Sequence, residues 1–96
     1  MALHVTARFI ARDDSRDALK NLLITLVEPI RNDPGCDSCF FIQNTAQPNE
    51  FVFIEVWKGK AELDRHLADE AVTRAIEDAE PLLDEAVELK IYEPLA

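Results

Sequence analysis

Three side chains in one short stretch, Glu55, Trp57 and His66, are of the types that proton transfer against an aromatic wall requires. Carboxyl and imidazole groups are the usual general acids and bases near neutral pH, and imidazole titrates there without help from its surroundings. Glu55 stands between Phe53 and Trp57 at steps of two, so in an extended segment all three share one face. His66 lies within a helical turn of Leu63 and Leu67 and shares their inward stripe if that segment is helical. An acid, an indole and an imidazole around one hollow would suit removal of a proton from a small aromatic or carbonyl compound. A structural reading competes, with Glu55 as a paired rim carboxylate, Trp57 as core filling and His66 as a satisfied surface histidine.

The elements that must hold these groups follow from periodicity. Residues 51–58 alternate Phe51, Phe53, Glu55 and Trp57 with Val52, Ile54, Val56 and Lys58, the pattern of a strand covered on both faces. Gly59 ends that run, and Leu63, Leu67 and Ala71 then step by four, so a strand hands over to a helix. Upstream, Leu3, Val5, Ala7, Phe9 and Ala11 alternate with His4, Thr6, Arg8, Ile10 and Arg12 in an opening strand. Asp13, Asp14 and Ser15 are placed to cap a helix whose stripe is Leu19, Leu22, Leu23, Leu26 and Ile30, with Pro29 weakening its last turn and Asp33-Pro34-Gly35 ending it. A second strand over 36–44 puts Cys39, Phe41 and Gln43 opposite Ser38, Phe40 and Ile42, and the loop 45–49 makes it antiparallel to the third. Helical spacing returns over 61–67 and 71–79 until Pro81, and Val87, Leu89 and Ile91 alternate with Glu88, Lys90 and Tyr92 in a fourth strand.

Strand, helix, strand, strand, helices, strand is the order of an α+β, ferredoxin-like split βαβ fold, with a four-stranded antiparallel sheet and helices on one face. Val52, Ile54 and Val56 cannot face the same helices as Phe53 and Trp57. A second sheet is the economical cover, so a two-fold homodimer is expected.

Composition narrows the partners. The 96 residues suit one domain, residues 1–96, and a chain of this size buries only about 60–65% of its unfolded surface, another reason to pair. A formal net charge of −9 argues against nucleic acid and anionic membranes. With no leader-like segment and no spanning apolar run, a cytoplasmic protein is expected. Cys36 and Cys39 form a C-x-x-C, but three steps along a strand place the side chains on opposite faces with α-carbons about 10 Å apart, too far for a disulfide. Zinc would want about four ligands, so free thiols and no metal are expected. Two glycines, Gly35 and Gly59, leave no Gly-rich loop for nicotinamide, flavin or nucleotide, and there is no H-E-x-x-H or G-x-S-x-G.

Several pieces in order resemble one family: Val5-x-Ala7, Val27-Glu28-Pro29, Asp33-Pro34-Gly35-Cys36, Glu50-Phe51-Val52, Glu55-Val56-Trp57 and Ala61-x-Leu63-x-x-His66-Leu67. Together they are similar to the antibiotic biosynthesis monooxygenase domain over nearly the whole chain. The resemblance implies a dimeric α+β barrel with a cavity in each subunit between sheet and helices. It also implies oxygenation of phenolic or quinol-like substrates without metal or flavin, because a deprotonated electron-rich substrate can itself pass an electron to dioxygen. In that reading His66 is the base, Glu55 its partner or a second base, and Trp57, Phe53, Phe41 and Tyr92 bind the small-molecule substrate. His4 and Arg8 are further candidates, since strand parity alone leaves their face and that of Tyr92 open.

Two departures matter. The polyketide-tailoring branch commonly has Asn four residues before the strand tryptophan, where this chain has Phe53. The haem-degrading branch carries a strand Asn, a helix Trp and a His about ten residues further along; if His66 takes the Trp place, the later position is Ile76. The expected activity is therefore a cofactor-independent monooxygenase or quinol oxidase. The alternatives are an isomerase of small carbonyl compounds and a non-catalytic dimeric metabolite-binding or stress-response protein.

Overall fold

Alternation within the strands decides which face of the sheet is buried. In the computed structural model, which describes residues 1–96, β1 (Leu3–Ile10), β2 (Cys36–Gln43), β3 (Glu50–Trp57) and β4 (Glu88–Tyr92) form one antiparallel sheet in the order β2-β3-β1-β4. This is the ferredoxin-like arrangement expected from the order of elements. Helices α1 (Arg16–Ile24), α2 (Val27–Asn32), α3 (Lys60–Leu67) and α4 (Glu70–Ala79) complete it, with a short 3-10 turn at Glu80–Leu82. Phe51, Phe53, Glu55 and Trp57 point at the helices together with Val5 and Phe9 of β1, and all six are buried. Leu19, Leu23 and Leu63 close the core from the helical side. Burying each such side chain contributes about 1.5–3 kcal/mol.

The expected single first helix is instead two. Proline cannot donate to the carbonyl four residues back, and its ring crowds that carbonyl. For Pro29 that residue is Thr25, and the chain breaks there: the Thr25 and Leu26 amides turn back to Leu22 and Leu23. Pro29 then sits in the first turn of α2, where no intrahelical donor is lost. Ser15 stands at the cap position of α1 but makes no side-chain capping bond. Asp69 does cap α4, accepting from the amides of Ala71 and Val72 at 2.9 and 3.2 Å.

A bulge in β2 overturns the expectation that Cys36 and Cys39 face opposite ways. The register shifts between Cys36 and Ser38, so Cys36 opposes Trp57 while Cys39 opposes Glu55. The extra residue restores parity, and both side chains face the helices. Both thiols are free. Burial, and then the Glu55 charge, push the Cys39 thiol up to about 12, and burial raises Cys36 as well.

Gly35 marks a close approach. It is buried beneath α3, and a β-carbon there would lie 2.8 Å from Cβ and 2.9 Å from Cγ of Glu62. Its carbonyl accepts from the Lys58 amide at 2.9 Å, which ties the start of β2 to the end of β3, the point from which α3 departs. No helix is long and apolar enough to cross a membrane.

Candidate active site

Glu55 sits on β3, an inner strand, opposite Val5 of β1 and Cys39 of β2. Glu55 is 4% exposed, a costly position for a charge without partners. The partner is two residues along the same face: Trp57 Nε1 donates to Glu55 Oε1 at 2.7 Å, and the tryptophan is fully buried. His66, 8% exposed on α3, stacks on the indole with ring centroids 4.4 Å apart. Its Nε2 stands 3.7 Å from the same Oε1, within ion-pair range but beyond a hydrogen bond. Burial lowers the His66 pKa below its ordinary value, while the charges of Glu55, Asp33 and Asp69 oppose the shift. The imidazole is therefore neutral near pH 7 and free to accept a proton, with a carboxylate in place to hold the imidazolium that results.

This group lies at the wall of a cavity of about 390 Å³ between sheet and helices. Val5, Phe9 and Phe53 form its sheet side and Leu26, Ile30 and Val72 its helical side. Of its 15 lining residues, 11 are hydrophobic, and the polar ones are Glu55, His66, Thr73 and Glu77. A second hollow of about 400 Å³ adjoins it, sharing His66, Leu26, Ile30 and Val72 and bordered by Asp33, Arg65, Asp69, Arg74 and Asp78. His66 lines both, so its side chain borders an apolar hollow and a polar one. No group of three or more His, Cys, Asp or Glu stands where it could hold a metal ion.

The structure gathers some of the sequence candidates and separates others. Glu55, His66 and Phe53 meet at the cavity. Trp57 does not line it: the indole stands behind, positioning the Glu55 carboxylate and the His66 ring. Phe41 also stays outside, on the same sheet face, stacked on Phe53 at 4.6 Å and Phe51 at 5.7 Å, so it supports the wall without forming it. Tyr92 is across the sheet. It opposes His4, which opposes Val56, and that register sends Tyr92, His4 and Arg8 to the face away from the helices, where Arg8 pairs with Glu50. The sequence reading missed the helical lining. Leu26 and Ile30 were legible as an apolar stripe, whereas Thr73 and Glu77, one turn apart on exposed α4 positions, gave no signal.

Comparison with known proteins places this geometry. The family model for antibiotic biosynthesis monooxygenase matches residues 2–78. The uncharacterized protein sll1783 of Synechocystis is 33% identical over 88 residues, covering 92% of this chain and 60% of its own length. Rv0793 of Mycobacterium tuberculosis, a provisional monooxygenase by name, is 37% identical over 62 residues, 65% of this chain and 60% of its own. The chain thus spans about 60% of the length of each curated relative it matches. The solved structure of Rv0793 superposes with a TM-score of 0.94 at 28% identity, covering 100% of this chain and 97% of that one. PA3566 from Pseudomonas aeruginosa gives 0.91 at 30% identity, covering 99% and 95%.

Proposed function

The chain belongs to the antibiotic biosynthesis monooxygenase family, and from that membership we propose that it oxidises a small aromatic or quinol-like metabolite with dioxygen, without metal or flavin, using His66 as the base. The observation that carries the proposal is a buried imidazole, stacked on an indole and backed by a carboxylate, at the wall of an apolar cavity. In this reading the substrate binds neutral and His66 takes its acidic proton. Glu55 stabilises the imidazolium, while the electron-rich anion gives an electron to dioxygen and the two radicals combine. For a methylene flanked by aromatic rings, one oxygen atom ends as the carbonyl and the other leaves as water, four electrons passing from carbon to oxygen. For a quinol, two electrons pass and hydrogen peroxide leaves. The apolar walls keep water from the anion.

The test is oxygen uptake by purified, metal-stripped protein with a series of hydroquinones and anthrones, heat-killed protein correcting for autoxidation. Uptake should depend on native protein and fall by about 100-fold or more in His66→Ala, the usual worth of a general base. No uptake with any member would refute the oxygenase reading, and turnover that persists under nitrogen would make the chain an isomerase working from the same base.

The proposal extends to a homodimer. The sheet face away from the helices exposes Phe40, Ile42 and Ile54, with Phe40 59% exposed, alongside half-buried Val52 and Val56. A second sheet packed there would cover them. Light scattering should give twice the chain mass, and Ile54→Lys should give the single mass. Free thiols at Cys36 and Cys39 support a reducing compartment such as the cytoplasm.

A further inference from the structure

The inference concerns the charge of the molecule that reaches His66, and it rests on the cavity being the substrate site. We propose that the cavity mouth is an electrostatic filter that admits neutral or cationic aromatic compounds and turns away those bearing a carboxylate, sulfonate or phosphate.

The first observation is the composition of the lining. The cavity holds two carboxylates, Glu55 and Glu77, and neither lysine nor arginine. An arriving anion would find no cation except His66, whose imidazole is neutral until it has taken a proton. A neutral phenol meets no such cost, because the negative charge formed on it appears only as the proton moves to His66. The site accommodates an anion made in place and not one brought from solution.

The second observation lies outside the cavity and is independent of it. Ile76, Glu77 and Val87 are shared with an adjoining cleft, which adds Glu80, Asp84 and Glu85 and again contains no lysine or arginine. Glu80, Asp84 and Glu85 are exposed, and none of these three or Glu77 forms a salt bridge. Two of the four helical arginines, Arg65 and Arg74, border the other hollow and pair with Asp33 and Glu70. Carboxylates without an ion-pair partner thus gather in the cleft that joins the apolar cavity at Ile76, Glu77 and Val87; Asp84 and Glu85 also border a groove with Arg16 and with Arg8, which is itself paired with Glu50. Over a chain of net charge −9, this concentrates negative potential at the mouth. Each like charge at roughly 8–10 Å in water weakens binding of an anion by a factor of about two at low salt, so the four together give about 16-fold, which Arg16 and the paired Arg8 beside Asp84 and Glu85 reduce to about tenfold.

The test uses one ring with three substituents: methylhydroquinone, 2,5-dihydroxybenzoate and 2,5-dihydroxybenzylamine, bound under nitrogen to the intact protein by equilibrium dialysis so that no turnover intervenes. The benzoate should bind about tenfold or more weaker than methylhydroquinone at low salt, and the amine at least as tightly as methylhydroquinone. Raising salt to about 0.5 M should narrow the spread. The triple variant Glu80→Gln/Asp84→Asn/Glu85→Gln, which leaves the cavity lining untouched, should narrow it too while holding methylhydroquinone within about twofold. Equal binding of benzoate and methylhydroquinone would overturn the filter and leave the oxygenase reading standing. A spread insensitive to both salt and the triple variant would also overturn it. Binding of none of the three would remove the cavity as the substrate site, and the filter with it.

Discussion

Replacing Trp57 with phenylalanine tests whether the indole is a positioning group or only a filler. Two losses add. The indole N–H donates at 2.7 Å to a carboxylate that is itself buried, and such a bond is worth about 1.5–3 kcal/mol. The smaller ring also lacks two carbons in a fully buried site, about 1.5 kcal/mol more. The variant should therefore lose about 3–4.5 kcal/mol, lowering Tm by about 12 °C or more for a domain of this size. Trp57 is the one tryptophan in the chain, so unfolding must be followed by far-ultraviolet circular dichroism rather than fluorescence. The decisive arm is the same change in a Glu55→Leu background. There the acceptor is already gone and the indole N–H is a buried orphan, so removing it should cost less than about 1 kcal/mol. If the two changes add to within about 0.5 kcal/mol, the Glu55 bond carries no energy and the positioning argument fails.

Other consequences are open to direct measurement. Burial holds the folded His66 pKa below its unfolded value, so the folded state binds fewer protons in acid. Its contribution should be complete above about pH 6.5 and fall as pH drops, with a slope of at most about 1.4 kcal/mol per pH unit. Urea titrations of wild type and His66→Asn between about pH 5 and 7 should show a shallower slope in the variant, and identical slopes would contradict it. Gly35→Ala forces the added methyl against the Glu62 side chain and so displaces α3; a loss of about 1–3 kcal/mol is expected, with the His66 resonances shifted in NMR spectra, whereas an unshifted His66 would show that α3 absorbs the methyl elsewhere. Cys39, buried and with its thiol raised to about 12, should resist alkylation in the native protein and react once urea unfolds it; native labelling at the rate of a free thiol would show that the β2 edge opens readily.

Much of the architecture was legible because alternation and four-residue steps are local properties. Phe51, Phe53, Glu55 and Trp57 had to share a face whatever lay beside them, and Leu63 and Leu67 followed on one helix, although Ala71 falls in α4, beyond the extended cap residue Asp69 that ends the four-residue stepping. The four strands, their order along the chain and the two-sided β3 all come from that periodicity. Tertiary structure decided what depends on register between segments far apart in sequence. Whether Tyr92 shares a face with Val5 or with His4 is invisible within β4 and is fixed by its pairing with β1. One extra residue in β2 turned Cys36 to the side of Cys39, because parity counts paired positions rather than residues. Trp57 shares a strand face with Glu55, yet only packing shows that its N–H is spent on that carboxylate and its ring on His66, with the cavity beyond them. The sequence by itself determined the elements and the chemical groups they carry, since these follow from neighbours along the chain; the tertiary structure decided which groups meet, since contact between distant segments depends on register and packing that no local pattern encodes.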